Sequence, residues 1–310
     1  MIATLTLNPS VDRNIIVDNL GKDDTNRALG FWDTAGGKGL NVSKVVKELG
    51  GRTAAFSFAG GAVGRYWLEL AGRICVSLKI TPVLGMTRLK IVLTDRDDHT
   101  QTRVSLPGPV VLASELERLK KALFRLRPKP VFCVLGGSLS RGMKVSTYRT
   151  LIAEFEKRGV SCVLDADGAA LKEGIRAVPF MVKPNEHEME RLFGRRMNSL
   201  KDYLRAAQTL VERGVGLVVV SLGKRGALFA DPKEAFHVST PVVTVKSKIG
   251  AGDSLIGGVL VGLERWMPLE RAARLGVAAS TSAVMREAPR LCRRSDIPGL
   301  LRRVRIRRIS

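Results

Sequence analysis

The sequence predicts an α/β protein: a mainly parallel central sheet flanked by helices on both faces, plus a small β-sheet lid. Three observations carry this expectation. Apolar strand runs alternate with amphipathic helical stretches, the pattern of strands buried on both faces. Two hairpin-rich pieces, near 10–35 and 85–107, interrupt that rhythm and are placed to pack together as the lid. Glycine-containing stretches recur where strands end or helices begin, the edge at which open α/β sheets bind ligands. With 310 residues, 45% hydrophobic and 26% charged, the chain can fill one large α/β domain. Residues 1–310 are read as that one domain with its lid insertions.

The elements follow in order. "MIATLTLNPSVD" opens as a strand and has no basic segment leading into an apolar stretch, so no secretion signal is expected. "DRNIIVDNL" and "ALGFWDT" read as short strands. In "KGLNVSKVVKELGG", Val42, Val45, Val46 and Leu49 recur at i, i+3, i+4 and i+7, which predicts a helix stopped by Gly50. "TAAFSFAGG" reads as a buried strand and 63–72 as a helix. "RLKIVLTD" and "QTRVSLPG" form a hairpin around "RDDH". "SELERLKKALFRLR" predicts a helix opened by a Ser114–Glu117 capping box, with Leu116, Leu119 and Leu123 on one face. Strand "VFCVLGG" (131–137), helix 145–157 and strands "SCVLDAD" and "FMVKPN" come next. Helices at 186–193 and 199–213, strand "GLVVVSLG", short strands within 225–246 and helices at 252–264 and 268–284 complete the series.

Composition removes several classes. Cys75, Cys133, Cys162 and Cys292 are scattered with no CxxC pair, and His99, His187 and His237 are equally dispersed. That argues against a zinc site or a disulfide framework and makes a reducing cytoplasm the expected location. No run approaches the length of a membrane-spanning helix. The balance of 51 basic and 29 acidic residues gives +22, of which the tail "LRRVRIRRIS" supplies only five arginines. Spread over the body, such charge attracts anionic ligands, from phosphorylated metabolites upward. Aromatics are 5% and no nucleic-acid recognition motif occurs, so nucleic-acid binding is not expected as the main role. GxxxxGK[ST], GxSxG and HExxH are absent, and "GAGDSL" lacks the third glycine of GxGxxG.

What remains is a set of anion-type loops: "AGGKGLN" (35–41), "GGSLSRG" (136–142), "SLGKRGA" (221–227) and "GAGDS" (250–254). Glycine lets backbone N–H groups approach an anion, and a helix N-terminus adds a favourable field. In "KPNEHEME" (183–190), Asn185 and Glu188 fit a helix capping box. The same lysine, amide and carboxylate also suit a nucleotide's phosphates and their Mg²⁺, which keeps most of its waters and needs few protein ligands.

"TLNPSVD", "AGGKGLNV", "KPNEHE", "VVVSLG" and "GAGDS", in this order and spacing, resemble the ribokinase-like sugar kinases from residue 2 to about 300. Within them the chain is most similar to the phosphofructokinase-B branch, which covers fructose-6-phosphate, fructose-1-phosphate and tagatose-6-phosphate kinases. The resemblance implies a ribokinase-like three-layer sandwich that dimerises through its lid. It implies Asp253 as catalytic base and Gly250, Ala251 and Gly252 as an anion hole. Lys183, Asn185 and Glu188 would serve the ATP phosphates and Mg²⁺, while Ser221, Gly223 and Gly226 line the nucleotide site. Asp12, Gly37, Lys38 and Asn41 would hold sugar hydroxyls. Arg27, Arg88, Arg103 and Ser138 are candidates for the sugar's existing phosphate, a task suited to the planar arginine fork.

The implied reaction is ATP-dependent phosphorylation of a phosphorylated ketohexose, foremost fructose 6-phosphate at O1, with direct in-line transfer. Fructose 1-phosphate or tagatose 6-phosphate are the alternative acceptors. A non-catalytic sugar-phosphate or nucleic-acid binding protein is the reading from another class. Lid closure would limit wasteful ATP hydrolysis. "RVSLPGP", "SFAGGAVG" and "RLC" point toward the fructose-6-phosphate branch. Two departures stand out: "GGSLSRG" where relatives commonly read "SGSLPPG", and Lys248 in "SKIGAGDS" where they often read "STVGAGDS". The second bears on nucleotide affinity and on any monovalent-cation effect.

Overall fold

The computed structural model describes residues 1–74, 76–98 and 100–309; Cys75, His99 and Ser310 lie outside the described residues. Strand β1 (Ile2–Thr6) begins the large sheet, and β2 (Ser10–Val17) and β3 (Gly30–Gly36) begin the small one. Helix α1 (Lys38–Glu48) leads to β4 (Thr53–Ala59), and α2 (Gly61–Gly72) to β5 (Ser77–Pro82). β6 (Arg88–Asp95) and β7 (Gln101–Ser105) complete the small sheet. Alternation then runs through α3 (Ala113–Phe124), β8 (Phe132–Gly136), α4 (Thr147–Glu156), β9 (Ser161–Asp165) and α5 (Gly168–Ile175). β10 (Met181–Val182), α6 (Glu186–Phe193), α7 (Leu200–Glu212) and β11 (Leu217–Ser221) continue it. β12 (Ala227–Ala230), β13 (Ala235–Ser239), α8 (Ala251–Glu264), α9 (Leu269–Val284), α10 (Ile297–Arg303) and β14 (Arg305–Arg308) close the chain.

Among the described residues the large sheet has the order β14-β13-β12-β11-β10-β9-β8-β1-β4-β5. Every pairing from β11 to β5 is parallel, and β12, β13 and β14 add on antiparallel. Alternation of side chains along each strand feeds two cores. Ala3 and Leu5 of β1 join Leu119, Tyr148, Phe155 and Tyr203 on one face. Ile2 joins Val42, Val45, Ile256 and Val277 on the other. The small sheet has the order β3-β2-β6-β7, so the two pieces expected to form a lid do pair. Val11 and Ala35 pack with Leu40, Trp67 and Ala71 at its root, and Trp67 Nε1 donates to the Gly36 carbonyl at 3.0 Å.

One local expectation is corrected, and three elements fall outside the expected series. Helix α3 starts at Ala113, before the expected Ser114 cap, and Glu115 takes the role assigned to Glu117. Its carboxylate accepts from Leu112 N at 2.8 Å and Leu84 N at 2.9 Å. The buried acid wins because it ties two loops at once. α5 has no counterpart in the expected elements, being eight residues long with two glycines. β5 is a half-exposed edge strand without a long apolar run. The basic tail, read only as charge, pairs as β14 through residues 305–308, its arginines protecting an exposed sheet edge.

Helix α8 is buried from Asp253 to Gly262. It crosses α9 at a distance that only small residues permit. A Cβ on Gly258 would stand 2.7 Å from Gly276 Cα and 2.9 Å from the Leu275 carbonyl oxygen; one on Gly262 would stand 2.7 Å from Ala272 Cα. Gly258→Ala is therefore expected to cost about 1–3 kcal/mol through overpacking. Urea unfolding checks this, as a lower midpoint with an unchanged slope; an unshifted midpoint would mean that the crossing has room to spare.

Candidate active site

The parallel strands end beside the N-termini of α1 and α8, and several of the predicted residues gather there. Gly250 adopts a left-handed φ of 76° and starts α8. The first helical bond runs from Ser254 N to the Gly250 carbonyl oxygen at 2.8 Å. The amides of Ala251, Gly252 and Asp253 thus precede the helical ladder and carry the positive end of the helix dipole. Asp253 is only 7% exposed. Its Oδ2 accepts from Asn41 Nδ2 of α1 at 2.8 Å. Burial, reinforced by the charge of Asp165, pushes the Asp253 carboxyl up to about 6, against the pull of Lys38, Asn41 and Lys183. A carboxylate near neutrality is suited to taking a hydroxyl proton.

Asp165, at the end of β9, was not singled out from the sequence. It is 1% exposed, and its Oδ1 lies 3.1 Å from Lys38 Nζ and 3.2 Å from Lys183 Nζ. Burial alone would raise the Asp165 carboxyl; the two ammoniums hold it below the usual range. Burial likewise opposes the charge on Lys38, yet Asp165, Asp253 and Glu188 together keep that amine above its ordinary value. Lys183 Nζ lies 3.2 Å from where a Cβ on Gly252 would stand. Glycine there lets the ammonium sit against the start of α8.

On the lid side, Asp12 of β2 accepts from Ser10 Oγ at 2.5 Å and pairs with Lys90 Nζ at 3.8 Å. A Cβ on Gly36 would stand 2.4 Å from Asp12 Oδ1, and one on Gly37 2.7 Å from Thr6 Cγ2. These close approaches explain the glycine pair before Lys38. Arg88 donates to the Asn8 carbonyl oxygen at 3.3 Å, and its buried Nε has no partner. Burial lowers the Arg88 guanidinium below its ordinary value, and Asp12 partly offsets this. Asn8 Nδ2 in turn donates to Ser138 Oγ at 3.0 Å. Ser138, Gly137, Lys38, Asp167 and Glu188 line a cavity of about 380 Å³.

On the opposite side, Asn185 and Glu188 do form the predicted capping box of α6. Glu188 N donates to Asn185 Oδ1 at 2.9 Å, and Asn185 N to Glu188 Oε2 at 2.8 Å. Ser221 N donates to the Pro184 carbonyl oxygen at 3.0 Å, which brings the end of β11 beside Asn185. Gly223 and Gly226 (φ 56° and 98°) close the next turn, and a Cβ on Gly226 would stand 2.0 Å from the Val238 carbonyl oxygen. Among the described residues no cluster of three or more His, Cys, Asp or Glu has the geometry of a metal site.

Two predicted residues stand apart. Arg27 is exposed in the loop between β2 and β3, at the end of that hairpin away from Asp12 and Gly36. Arg103, on β7, is exposed and bonded to Gln101 Oε1 at 3.3 Å. It lies in register with Val92 and through it with Asn14, two strands out from β2.

The model of the pfkB family carbohydrate kinases matches residues 6–295. The chain belongs to that family. It is similar to the 1-phosphofructokinase of Borreliella burgdorferi, 34% identical over 99% of this chain and 98% of the relative. Similarity to ATP-dependent 6-phosphofructokinase isozyme 2 of Escherichia coli is 32% over 95% and 96%. For the tagatose-6-phosphate kinase of Staphylococcus epidermidis it is 32% over 85% of each. The crystal structure of Escherichia coli phosphofructokinase-2 in complex with fructose-6-phosphate superposes with a TM-score of 0.90 at 31% identity, covering 97% of this chain and 98% of that one. This pfkB chain therefore has the ribokinase-like α/β fold and is an ATP-dependent phosphotransferase acting on a hydroxyl group. Among the described residues no helix is long and apolar enough to cross a membrane.

The raised Asp253 carboxyl sets a stability test. Folded, it holds its proton to about pH 6; unfolded, it releases it near pH 4. Stability is thus lost as pH rises through that window, by roughly 3 kcal/mol. Asp253→Asn should raise the unfolding midpoint at pH 8 and leave it unchanged at pH 3. An equal gain at both values would show that the ionised carboxylate is not the destabilising group.

Proposed function

We propose that this pfkB kinase phosphorylates a phosphorylated ketohexose, foremost fructose 6-phosphate at O1, by direct in-line transfer from ATP. The observation that carries the reading is the buried Asp253 carboxylate beside the amides of α8, with Lys38 and Lys183 drawn together on Asp165. In this reading Asp253 takes the proton of the attacking hydroxyl. The amides at Gly250, Ala251 and Gly252 and the Lys183 ammonium stabilise charge on the transferred phosphoryl group, where positioning and electrostatics do most of the work.

Asp12, Gly37, Lys38 and Asn41 orient the sugar. Arg88 and Ser138 hold its phosphate, a role supported by the partnerless buried Nε of Arg88 and by the Asn8 link between the two. Arg103 and Arg27 are the more distant contacts, brought nearer by lid closure. Ser221, Gly223 and Gly226 line the nucleotide site. Fructose 1-phosphate and tagatose 6-phosphate remain alternative acceptors, as the names of the relatives indicate.

Mg²⁺ belongs with the nucleotide. Glu188 gives one oxygen to the capping box and faces the cavity beside Lys38, a donor set that fits an ion held by phosphates and water. Asn185 and Glu188 would orient that ion through water, and once bound it would neutralise phosphate charge. A monovalent cation is part of the reading, since potassium accompanies a phosphofructokinase-2 structure of Escherichia coli. We further infer one kinase domain over 1–310, acting in the cytoplasm as a homodimer through the lid. Phe31 (66% exposed), Leu29 and Val104 leave apolar surface there for a second copy.

The test is ADP release from Mg·ATP with fructose 6-phosphate, fructose 1-phosphate, tagatose 6-phosphate, fructose and ribose offered separately. One phosphorylated ketohexose should be preferred, and Asp253→Asn should lose about 10²–10⁴-fold in kcat. The base must be ionised, so kcat/KM should fall as pH drops through about 6. Absence of turnover with every sugar phosphate would sink the acceptor assignment; full activity of the variant would remove Asp253 from its role.

A further inference from the structure

Lys44 has no part in the roles assigned above. It lies on α1 one turn beyond Asn41, a spacing that puts both side chains on one face of the helix. Its Nζ donates to the Ala35 carbonyl oxygen at 3.3 Å and to Asn41 Oδ1 at 3.4 Å. The other end of the same amide, Asn41 Nδ2, donates to Asp253 Oδ2 at 2.8 Å. An unbroken series of contacts therefore runs from the root of the lid strand β3, through an ammonium and an amide, to the carboxylate.

The order of these groups has a chemical consequence. An asparagine amide offers an oxygen at one end and two N–H donors at the other. A cation on the oxygen end selects the orientation in which the donor end meets the carboxylate. The reversed amide would set NH₂ against the ammonium and oxygen against Asp253. Among the described residues Lys44 has no carboxylate within ion-pair distance.

We propose that Lys44 is a positioning residue for the catalytic base, its ammonium fixing the Asn41 amide so that Asn41 holds Asp253 Oδ2. This rests on the reading of Asp253 as the base. The link to Ala35 also makes the arrangement sensitive to where the root of the lid sits.

Charge on Lys44 is open to titration. Burial pushes the amine down to about 8, while Asp12 of β2 and Asp253 of α8 favour its charged form. Lys44 also lines a cavity of about 350 Å³ together with Lys47 and Glu48 of α1 and Cys292, which follows α9. The charged form prevails below pH 8 and is lost above it, so the Asn41 oxygen is held less firmly as pH rises.

The experiment compares wild type, Lys44→Met, Lys44→Gln and Lys44→Arg in kcat and KM for fructose 6-phosphate and ATP from pH 5 to 9.5. Asp253→Asn and thermal midpoints are measured alongside. Lys44→Met and Lys44→Gln should each lose about tenfold in kcat, the scale of a positioning defect. KM for ATP should change less than about twofold, and the decline in rate above pH 8 should disappear. Lys44→Arg should recover most of kcat and carry no decline up to pH 9.5. Wild-type kcat in both neutral variants, with Asp253→Asn inactive, would overturn the role of Lys44 and leave the base in place. A loss that Arg does not rescue, accompanied by a lower thermal midpoint and a weaker KM for ATP, would reduce Lys44 to packing and overturn the proposal. An active Asp253→Asn would overturn the base reading, and the proposal with it.

Discussion

Asp165 is the constraint on which the rest of the site depends. Its carboxylate is almost fully buried at the end of β9, and two ammoniums meet it from different parts of the chain. Lys38 comes from the start of α1, next to the lid; Lys183 follows β10, on the side of the Asn185–Glu188 cap. A buried charge of this kind is tolerated only when paired, and loss of one partner typically costs about 3–5 kcal/mol. The pairing therefore locks together the two halves of the cleft, each contributing one cation. Asp165 also acts on Asp253 through space, helping to raise its carboxyl toward neutrality. One structural ion cluster thereby sets where the cations stand, and its carboxylate adds to the burial that makes Asp253 more basic.

The large sheet was legible because its strands are buried on both faces and its helices carry long periodic stripes, as Val42, Val45 and Val46 do on α1. The lid was legible as two interruptions of that rhythm. Elements without a stripe were not: α5 is too short, β5 has no long apolar run, and β14 hides among arginines. At the site, the glycine-rich loops could be found by their place at strand ends and helix starts, and the role of Asp253 by the resemblance that "GAGDS" helps to carry. Asp165 could not, because a single acid closing the apolar run "SCVLD" carries no local pattern; its meaning lies in lysines far along the chain. Asn185 and Glu188 show how two sequence readings can coexist. The capping box is formed, and it leaves Glu188 facing the cavity.

The charge of +22 has a partial structural account. With few carboxylates available, many arginines settle on backbone carbonyls. Arg265 donates to Leu49 at the end of α1, Arg127 to Phe124 at the end of α3, and Arg158 to Glu154 at the end of α4. Arg274 does the same at Leu301 of α10. Helix C-termini leave carbonyl oxygens without partners and carry the negative end of the dipole, so a guanidinium there satisfies both needs. Part of the basic excess in this way serves the fold itself, each guanidinium keeping its charge while it caps a helix end.

The spacing of "GAGD" can now be argued position by position. Gly250 needs a left-handed φ, and a Cβ there would stand 2.2 Å from Leu291 Cδ2. At Gly252 the constraint is different: a Cβ would stand 3.2 Å from Lys183 Nζ, so the end of that side chain would have to give way slightly. Ala251, between them, is bound by neither demand. A tight turn with a helix cap would explain the first glycine and leave the second without a cause. The second glycine gives the Lys183 ammonium room against those amides, and that cation is held in place by Asp165. The loop sequence and the buried ion cluster thus belong to one arrangement, in which positive charge from backbone and side chain converges on the point that Asp253 adjoins, while burial and the charge of Asp165 keep that carboxyl raised against this pull.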